Sequence, residues 1–335
     1  MLRSIFRAVA RLAFVAAIAA PLQAAGPGTG NDFAGKRVLV IGIDGLRPDA
    51  LQRVMADGLA PSLKGLADMG TVCWNAYAGG EQGTVTEQPT ISGPGWTSIF
   101  TGVWMNRHQV KDNGTLPYNQ PGTPGSYLAK DAPHFAVRLK AAKPNASVCS
   151  FASWDWIASY LVAAQSSAFD VNERGVGVNY AGRDLDVKNK TLACLKDSNP
   201  DVLLVHFDQV DGAGHATGFS QDNPTYTNAI YQVDKHIADL MTGIRQRPQA
   251  AEEKWLVLVT TDHGGLEKAH GGQTPEERTI FVIASGPGIP AGQVSTTPVG
   301  HVVIAPTVFH YFGIPIDRTW GWAGKPFGGG VNSQE

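Results

Sequence analysis

Three apolar segments of this chain have the character of β-strands, and each one ends at side chains that commonly bind metal ions. Open α/β sheets place their ligand crevice at the carboxyl ends of parallel strands, so separate segments of this kind converge on one site. We therefore expect metal-assisted chemistry at one edge of a sheet. The segments are residues 37–43 before Asp44, residues 202–207 before Asp208, Asp211 and His215, and residues 256–261 before Asp262 and His263.

Strand-like and helix-like segments alternate along the rest of the chain. Apolar residues at helical spacing, with proline or glycine at the ends, indicate the helices, and alternating apolar residues indicate strands. Such alternation is typical of an α/β fold with a doubly wound, mostly parallel sheet sandwiched by helices. Residues 153–199 are the hardest to assign. The predicted helices are residues 48–55, 61–69, 94–101, 133–142, 223–244 and 304–312, and the further strands are residues 71–77, 146–151 and 278–284.

The N-terminal residues have the pattern of a secretory signal peptide. Three arginines precede an apolar run at residues 12–20, and the small residues Ala24 and Ala25 offer a cleavage site. The alternative is a membrane anchor, but a span needs roughly 20 apolar residues and this run is about half as long. We therefore expect export to the periplasm or the medium, without a stable membrane span. The expected organisation is a signal peptide at residues 1–25, a linker at 26–32 and a single catalytic domain with loop insertions at 33–335.

The charge balance excludes one class of partner. A formal net charge of −2 over 335 residues, with no run of lysine and arginine, leaves no basic field for a nucleic-acid polymer. The sequence carries no signal of oligomeric state. Cys73, Cys149 and Cys194 are odd in number, so at most one pair can form; a Cys149 to Cys194 pair and three inert buried thiols are both open.

Two short motifs combine a carboxylate with an imidazole, which is the mixture that suits zinc or a similar divalent ion. One spans residues 211–215, the other is Asp262-His263, and His270 follows close behind. A lone aspartate before a loop is usually a turn or a helix cap. Asp44 and the two motif aspartates at adjacent strand ends would repel one another strongly without a counter-charge, so we expect two bound cations.

Ser92 offers a hydroxyl group beside a predicted helix. The helix is expected to begin at Pro94, and free amide groups at a helix start favour an oxyanion there. The alternative is that Ser92 only caps the helix, which is an ordinary use of serine. Thr97, Ser98 and Thr101 fall inside the helix, where we expect them to pack or to bond to backbone carbonyls.

In this order the residues resemble the alkaline phosphatase superfamily, and most closely its type I phosphodiesterase and nucleotide pyrophosphatase branch. The resemblance covers about residues 38–313. It implies an alkaline phosphatase-like fold and an exported two-metal phosphohydrolase that forms a covalent phosphoseryl intermediate. For the pair of divalent metal ions, zinc is preferred over manganese or iron. The positions that match the branch are Asp44, Ser92, Asp211 with His215, and Asp262 with His263.

The resemblance also implies which residues bind each ion. The branch has its last histidine near the C-terminus, and none follows Gly313 here. His270 instead resembles the placement in cofactor-independent phosphoglycerate mutases and phosphoethanolamine transferases. We prefer it to His301, which begins a predicted helix. The two expected ligand sets are Asp44, Asp262, His263 and Ser92 for one ion, and Asp211, His215 and His270 for the other.

Further residues are expected near the substrate. Asn113 matches an asparagine of the family that contacts a phosphate oxygen, although Asn-Gly is also a strong turn signal. Trp154 and Trp156 follow a predicted strand, where an aromatic ring could stack on a nucleobase or an aryl group; burial in the core is the alternative. Specificity is expected in the loops at residues 79–88, 114–131 and 153–199. For three further acidic residues we expect no more than a supporting or a surface role: Asp208, Asp234 and Glu267.

The charge of the predicted centre favours a small phosphodiester over a phosphomonoester. Two divalent ions supply roughly +4, three carboxylates about −3 and a serine alkoxide about −1, which leaves a near-neutral site that suits a monoanion. The positive charge of Arg107 or Lys111 would reverse this preference if either side chain entered the site. The residues are also compatible with a phosphoethanolamine-type transferase and with an inactive periplasmic metal- or nucleotide-binding module. A sulfatase would need a Cys or Ser in a Cys-x-Pro-x-Arg type motif, which the segment from Cys73 does not provide.

Overall fold

The computed structural model describes residues 33–114 and 131–329. The predicted signal peptide and linker, and most of the predicted loop 114–131, lie outside the described residues. The strands are β1 (Lys36–Ile43), β2 (Gly70–Tyr77), β3 (Val148–Ala152), β4 (Val171–Arg174), β5 (Val202–Phe207), β6 (Lys254–Thr260), β7 (Thr279–Ser285) and β8 (Gln293–Val294). The α-helices are α1 (Pro48–Ala56), α2 (Pro61–Asp68), α3 (Ser92–Thr101), α4 (Met105–His108), α5 (Phe135–Ala142), α6 (Tyr180–Asp197), α7 (Gln209–Thr217), α8 (Pro224–Arg245), α9 (Pro275–Arg278) and α10 (Ile304–Phe312). In this described part of the chain, no helix is both long enough and apolar enough to cross a membrane.

One sheet contains these strands in the order β4-β3-β5-β1-β6-β7-β2-β8. β1 lies inside the sheet and pairs in parallel with β5 and β6. β7 is antiparallel to both of its neighbours, β6 and β2, and the other pairings are parallel. Helices cover both faces of the sheet. The predicted α/β class with a doubly wound, mostly parallel sheet is therefore confirmed.

Both faces of the sheet are buried, because successive side chains of a strand point to opposite sides. In β1, Val38 and Val40 belong to one apolar cluster together with side chains of α3, α5 and α10. Leu39 and Ile41 belong to a second cluster together with side chains of α1, α2, α6 and α8. With both faces occupied by apolar groups, the ends of the strands are where polar side chains can gather.

The helices with the strongest signals in the sequence lie where the pattern predicts them. α8 has Pro224 in its first turn, and Asn223 Oδ1 accepts a hydrogen bond from Thr225 N–H at 3.0 Å. α10 ends before Gly313, whose φ of 72° lies in the left-handed region that glycine adopts at little cost. Gly102 ends α3 in the same conformation, with a φ of 70°.

The structure corrects three of the predicted boundaries. Residues 153–199, expected to act as a loop, contain β4 and the 18-residue helix α6. α5 begins at Phe135 instead of residue 133, because His134 Nδ1 caps the helix by accepting from Ala136 N–H. β3 begins at Val148 instead of residue 146.

Two further expectations concern buried polar and sulfur-containing side chains. Cys73, Cys149 and Cys194 are all free and buried thiols, and the side chains of Cys149 and Cys194 contact each other through a hydrogen bond instead of a disulfide. Asp234 is buried, and its carboxylate accepts hydrogen bonds from two backbone N–H groups at the start of α2. Asp234 therefore stabilises the start of a helix and is not a surface residue.

Candidate active site

The predicted metal ligands gather at the carboxyl ends of β1, β5 and β6. In the register of the sheet, Gly42 of β1 pairs with His206 of β5 and with Thr260 of β6, so the three strands end at nearly the same level. Asp44 follows β1 and Asp262 follows β6, and both side chains are buried. The structure thus brings together strand ends that are far apart in the sequence.

A first cluster, the Asp44 group, consists of Asp44, Asp262 and His263. One possible ligand atom from each residue lies within 4.8 Å of the others. His263 Nε2 is 3.2 Å from Asp262 Oδ2 and 3.5 Å from Asp44 Oδ1. Ser92 Oγ adjoins the group, at 3.2 Å from His263 Nε2 and 3.4 Å from Asp44 Oδ1. A hydroxyl group therefore lies beside a candidate cation site.

Ser92 is the first residue of α3 instead of preceding it, and its side chain does not cap the helix. The N–H of Gly93 donates to Asn113 Oδ1 at 2.7 Å, and Pro94 has no N–H to offer. The start of α3 thus has fewer free amide groups than an ordinary helix start. Because Asn113 uses its Oδ1 in this way, its Nδ2 group is the part that can donate to a ligand oxygen.

A second cluster, the Asp211 group, consists of Asp211, His215 and His270. Asp211 and His215 lie one turn apart on α7, with Asp211 Oδ2 3.3 Å from His215 Nε2. His270 Nε2 lies 3.0 Å from His215 Nε2 and 3.7 Å from Asp211 Oδ1. The rings of His263 and His270 stack with their centroids 3.8 Å apart, so the Asp44 and Asp211 groups are neighbours.

Backbone contacts fix which nitrogen of each of these histidines can face a cation. A carbonyl oxygen only accepts hydrogen bonds, so an Nδ1 atom beside one carries the hydrogen and leaves a free lone pair on Nε2. All three predicted histidine ligands have this arrangement. The Nδ1 atoms of His215, His263 and His270 lie 2.9, 2.8 and 2.9 Å from the carbonyl oxygens of Lys268, Gly264 and Thr90.

One buried carboxylate oxygen in each group, Asp262 Oδ2 and Asp211 Oδ1, lacks a hydrogen-bond partner among the described residues. Burial, together with the charges of Asp44 and Asp211, raises the pKa of Asp262 well above its ordinary value. Burial also acts to raise the pKa of Asp44, but the hydrogen bond from His206 and the charge of His263 lower it to about 2. Each group combines imidazoles with carboxylates whose negative charge is unmatched, and this fits a divalent cation in each group. The mixture of oxygen and nitrogen donors suits zinc.

The sequence pattern missed His206, which lies inside β5. Its Nε2 is 3.2 Å from Asp44 Oδ2, and Trp96 Nε1–H donates to the same oxygen at 2.8 Å. Asp44, His206 and Asp208 form a third cluster of possible ligand atoms. The signal that could have found His206 is its position next to last in an apolar strand that ends at the predicted site.

The remaining predicted residues differ in how far their side chains are exposed to solvent. Trp156 is buried and stacks on the partly exposed Trp154, with ring centroids 5.2 Å apart, so Trp154 has more surface to offer a substrate. Asp208 is buried beside Asp44, which agrees with a supporting role, whereas Glu267 is exposed. Within residues 33–114 and 131–329, His301 belongs to none of the three clusters, and its ring lies against Trp104 instead.

A mostly parallel sheet with neighbouring carboxylate and imidazole clusters at its carboxyl edge, and with a serine hydroxyl beside them, is the arrangement that the candidate site presents. A sequence profile described as type I phosphodiesterase / nucleotide pyrophosphatase matches residues 38–268. The chain belongs to this family.

Two curated relatives match shorter parts of the chain. Sulfatase ppz1 of Metarhizium majus is 31% identical in a 126-residue alignment that covers 31% of this chain and 30% of the relative. GPI ethanolamine phosphate transferase 3 of Schizosaccharomyces pombe is 32% identical over 97 residues, which are 29% of this chain and 10% of the relative. The matched segments thus span less than a third of either relative.

Solved structures share the fold over most of the chain. A 2-O GAG sulfatase has a TM-score of 0.66 at 15% identity, over 87% of this chain and 73% of that chain. Murine ectonucleotide pyrophosphatase / phosphodiesterase 5, solved as an inactive variant in complex with AMP, has a TM-score of 0.61 at 14% identity, over 84% of this chain and 96% of that chain. At these identities the likeness shows the fold.

Proposed function

We propose that this chain is an exported, two-metal phosphodiesterase that cleaves small phosphate esters through a covalent phosphoseryl intermediate on Ser92. The observation that carries the proposal is the position of Ser92 Oγ, which adjoins the Asp44 group. That group in turn touches the Asp211 group through the stacked rings of His263 and His270. Membership in the type I phosphodiesterase family supports the reaction class.

The proposal assigns one divalent cation to each cluster. Bound divalent cations would lower the pKa of an attacking hydroxyl group and neutralise charge on the phosphoryl oxygens. Buried carboxylate oxygens without partners, and Nε2 atoms with free lone pairs, support this assignment. The proposed ligands are Asp44, Asp262, His263 and Ser92 for one cation, and Asp211, His215 and His270 for the other.

The residues of the chain then have distinct tasks. Ser92 Oγ forms a bond to phosphorus while the bond from phosphorus to the leaving oxygen breaks, and the released alcohol takes up a proton. Asn113 is held by its contact with Gly93 N–H, so its Nδ2 group can donate to a nonbridging phosphoryl oxygen. Water then cleaves the bond between Oγ and phosphorus and restores the serine.

The engagement of Arg107 and Arg47 by other groups of the chain supports a diester over a monoester. Arg107 donates to the carbonyl oxygens of Trp320 and Gly321, at 2.9 and 3.2 Å, so its guanidinium is held by the C-terminal segment. Arg47 is paired with Asp49 at 2.7 Å. With both guanidinium groups engaged elsewhere, a phosphodiester monoanion needs less compensation than a phosphomonoester dianion.

Sulfate ester hydrolysis is the second candidate, and the similarity to a sulfatase relative and to a sulfatase structure favours it. Ser92 and Pro94 match the first two positions of a Ser-x-Pro-x-Arg form of the sulfatase motif. Trp96 occupies the arginine position, where it is buried and donates to Asp44. Because the guanidinium of that motif is missing, we rank phosphate above sulfate.

A phosphoethanolamine-type transferase is the third candidate, supported by the match to the Schizosaccharomyces pombe relative. It differs from a hydrolase in the second half of the reaction, where an alcohol instead of water accepts the group from Ser92. Added ethanolamine or glycerol would then raise the rate of alcohol release and yield a new ester, which phosphorus NMR would detect.

Initial rates with three p-nitrophenol esters test the proposal. The zinc-loaded full chain should release p-nitrophenol fastest from bis(p-nitrophenyl) phosphate, more slowly from p-nitrophenyl phosphate and least from p-nitrophenyl sulfate. Faster cleavage of the monoester or of the sulfate would overturn the diesterase assignment. Metal binding without cleavage of any ester would identify a binding module instead.

A further inference from the structure

We infer that His206 is a positioning residue: its Nε2–H donates to Asp44 Oδ2 and leaves only Asp44 Oδ1 to bind a cation. The inference rests on the proposed function, because it concerns the cation assigned to the Asp44 group. It also decides between two roles for the cluster of Asp44, His206 and Asp208, which could hold either a third cation or a hydrogen bond.

The neighbours of the His206 ring identify which nitrogen carries its hydrogen. The N–H of Trp154 points at His206 Nδ1 from 3.5 Å. This N–H needs an acceptor with a lone pair, so Nδ1 carries no hydrogen. The hydrogen of the neutral ring therefore lies on Nε2. This is the reverse of His215, His263 and His270, in which Nδ1 donates to a carbonyl and Nε2 is free.

The two oxygens of Asp44 consequently differ in their surroundings. Oδ2 lies 2.8 Å from Trp96 Nε1 and 3.2 Å from His206 Nε2, both of which donate to it. Oδ1 lies 3.4 Å from Ser92 Oγ and 3.5 Å from His263 Nε2. Two hydrogen bonds to Oδ2 fix the orientation of the carboxylate and turn Oδ1 toward the candidate nucleophile and the candidate ligand.

The His206 ring has little freedom to adopt another orientation. It is 2% exposed and meets the Trp96 ring edge to face, with centroids 4.7 Å apart at 85°. Its backbone is fixed within β5, and its carbonyl accepts from Ser153 N–H at 3.1 Å. Gly42 in the neighbouring strand leaves room for Trp96, since a Cβ atom there would lie 2.3 Å from the indole ring.

A third cation would need the opposite arrangement at His206. The ring would have to offer a lone pair at Nε2, which would put its hydrogen on Nδ1 and point it at the N–H of Trp154. Two donors would then face each other in a buried place, which leaves each of them without an acceptor. The surroundings of His206 therefore favour a hydrogen bond to Asp44 over a metal ligand.

Zinc titration of the chelator-treated full chain tests this inference, with a chromophoric chelator as competitor. We expect the wild type to bind two zinc ions. His206→Asn, whose short amide does not reach Asp44, should weaken one of the two sites by ten- to a hundredfold and leave the other within about twofold. His206→Gln is the matched control: its longer amide places an N–H near the position of Nε2 and should recover most of the lost affinity.

Each other outcome has a definite meaning. Three zinc ions in the wild type, with one lost in both variants, would overturn the inference in favour of a third cation. Two ions with unchanged affinities in both variants would overturn it and leave the proposed function intact. No zinc binding by a folded wild type would overturn both. Should His206→Asn fail to fold, His206→Phe, which has a ring but no donor at this position, takes its place beside His206→Gln and provides the same test.

Discussion

The Nε2 atoms of His215 and His270 face each other at 3.0 Å, while Nδ1 of each ring lies beside a backbone carbonyl. Two free lone pairs at this distance repel, so in the absence of a cation one of the two nitrogens carries a proton. The hydrogen bond with Asp211 favours the proton on His215 and raises the pKa of His215 to about 9. Burial, reinforced by His263, lowers the pKa of His270 to about 4. A cation bound in the Asp211 group therefore replaces one proton.

The zinc affinity of the Asp211 group should accordingly increase with pH. Below the pKa of His215 a proton must leave for each zinc ion bound, so the apparent affinity should rise about tenfold per pH unit from neutral pH and level off near pH 9. Competition with a chelator of known pH dependence measures this slope. An affinity that stays constant between pH 7 and about 9 would contradict the proton on His215.

The same proton makes the metal-free protein sensitive to alkali. The pKa of His215 is raised from 6.5 to about 9 on folding, so its contribution to stability is fully present below pH 6.5 and is lost as the pH rises through about 9. Thermal unfolding of the metal-free wild type and of His215→Gln should therefore differ most at the lower pH. A difference in unfolding temperature that grows toward pH 9 would have the wrong sign.

Thr90 should control the Asp211 group without binding a cation itself. Its carbonyl accepts from His270 Nδ1 at 2.9 Å, while its hydroxyl donates to Gly272 O at 2.8 Å and accepts from Gly271 N–H at 3.0 Å. Thr90→Val keeps the shape and removes the hydroxyl, so we expect the zinc affinity of this group to fall about tenfold. Thr90→Ser keeps the hydroxyl and should bind zinc like the wild type. Equal zinc affinities in both variants would show that the Thr90 hydroxyl does not hold the segment of Gly271 and Gly272 in place.

Gly45 should be intolerant of a side chain because of Asp211. It has a φ of 63°, and a Cβ atom there would lie 2.6 Å from Asp211 Oδ1. Gly58 is a matched control, since its φ is 74° and a Cβ atom would meet nothing within 4 Å. We expect Gly58→Ala to lower the free energy of unfolding by about 1 kcal/mol through backbone strain. Gly45→Ala should lose a further 1 to 3 kcal/mol, roughly, through the clash and should also weaken zinc binding. Denaturant unfolding of the two variants measures the difference, and equal losses would mean that Asp211 moves aside freely.

Much of the fold was predictable because its signals are local. α8 has a proline in its first turn and buries Ile230, Val233, Ile237 and Leu240 on one face, so periodicity alone identifies it. α6 was not predictable in this way, because Asp184 and Thr191 lie on its buried face and dilute the apolar pattern. Asp184 is satisfied there by Ser153 Oγ and by Asp208 N–H, which are partners that only the tertiary structure supplies.

The candidate site was likewise predictable only in part. Aspartates and histidines that directly follow apolar strands, such as Asp44 and Asp262, could be predicted because strand ends of a parallel sheet meet at one edge. α7 could not, since Gly212 and Gly214 disfavour a helix, yet Gly214 is required where the Phe219 ring packs. The role of His206 depends on the N–H of Trp154, which comes from a different strand end and leaves no trace in the local sequence.

Ser92→Ala tests the central claim most directly, with zinc content and hydrolysis of bis(p-nitrophenyl) phosphate measured on the same sample. Loss of the nucleophile should lower the rate by about 10³-fold or more, while the two zinc ions remain because the other ligands are unchanged. Wild type quenched during turnover should carry a phosphoryl ester on the peptide that contains Ser92, detectable by mass spectrometry. A Ser92→Ala variant that binds zinc and hydrolyses the diester at the wild-type rate would contradict the account.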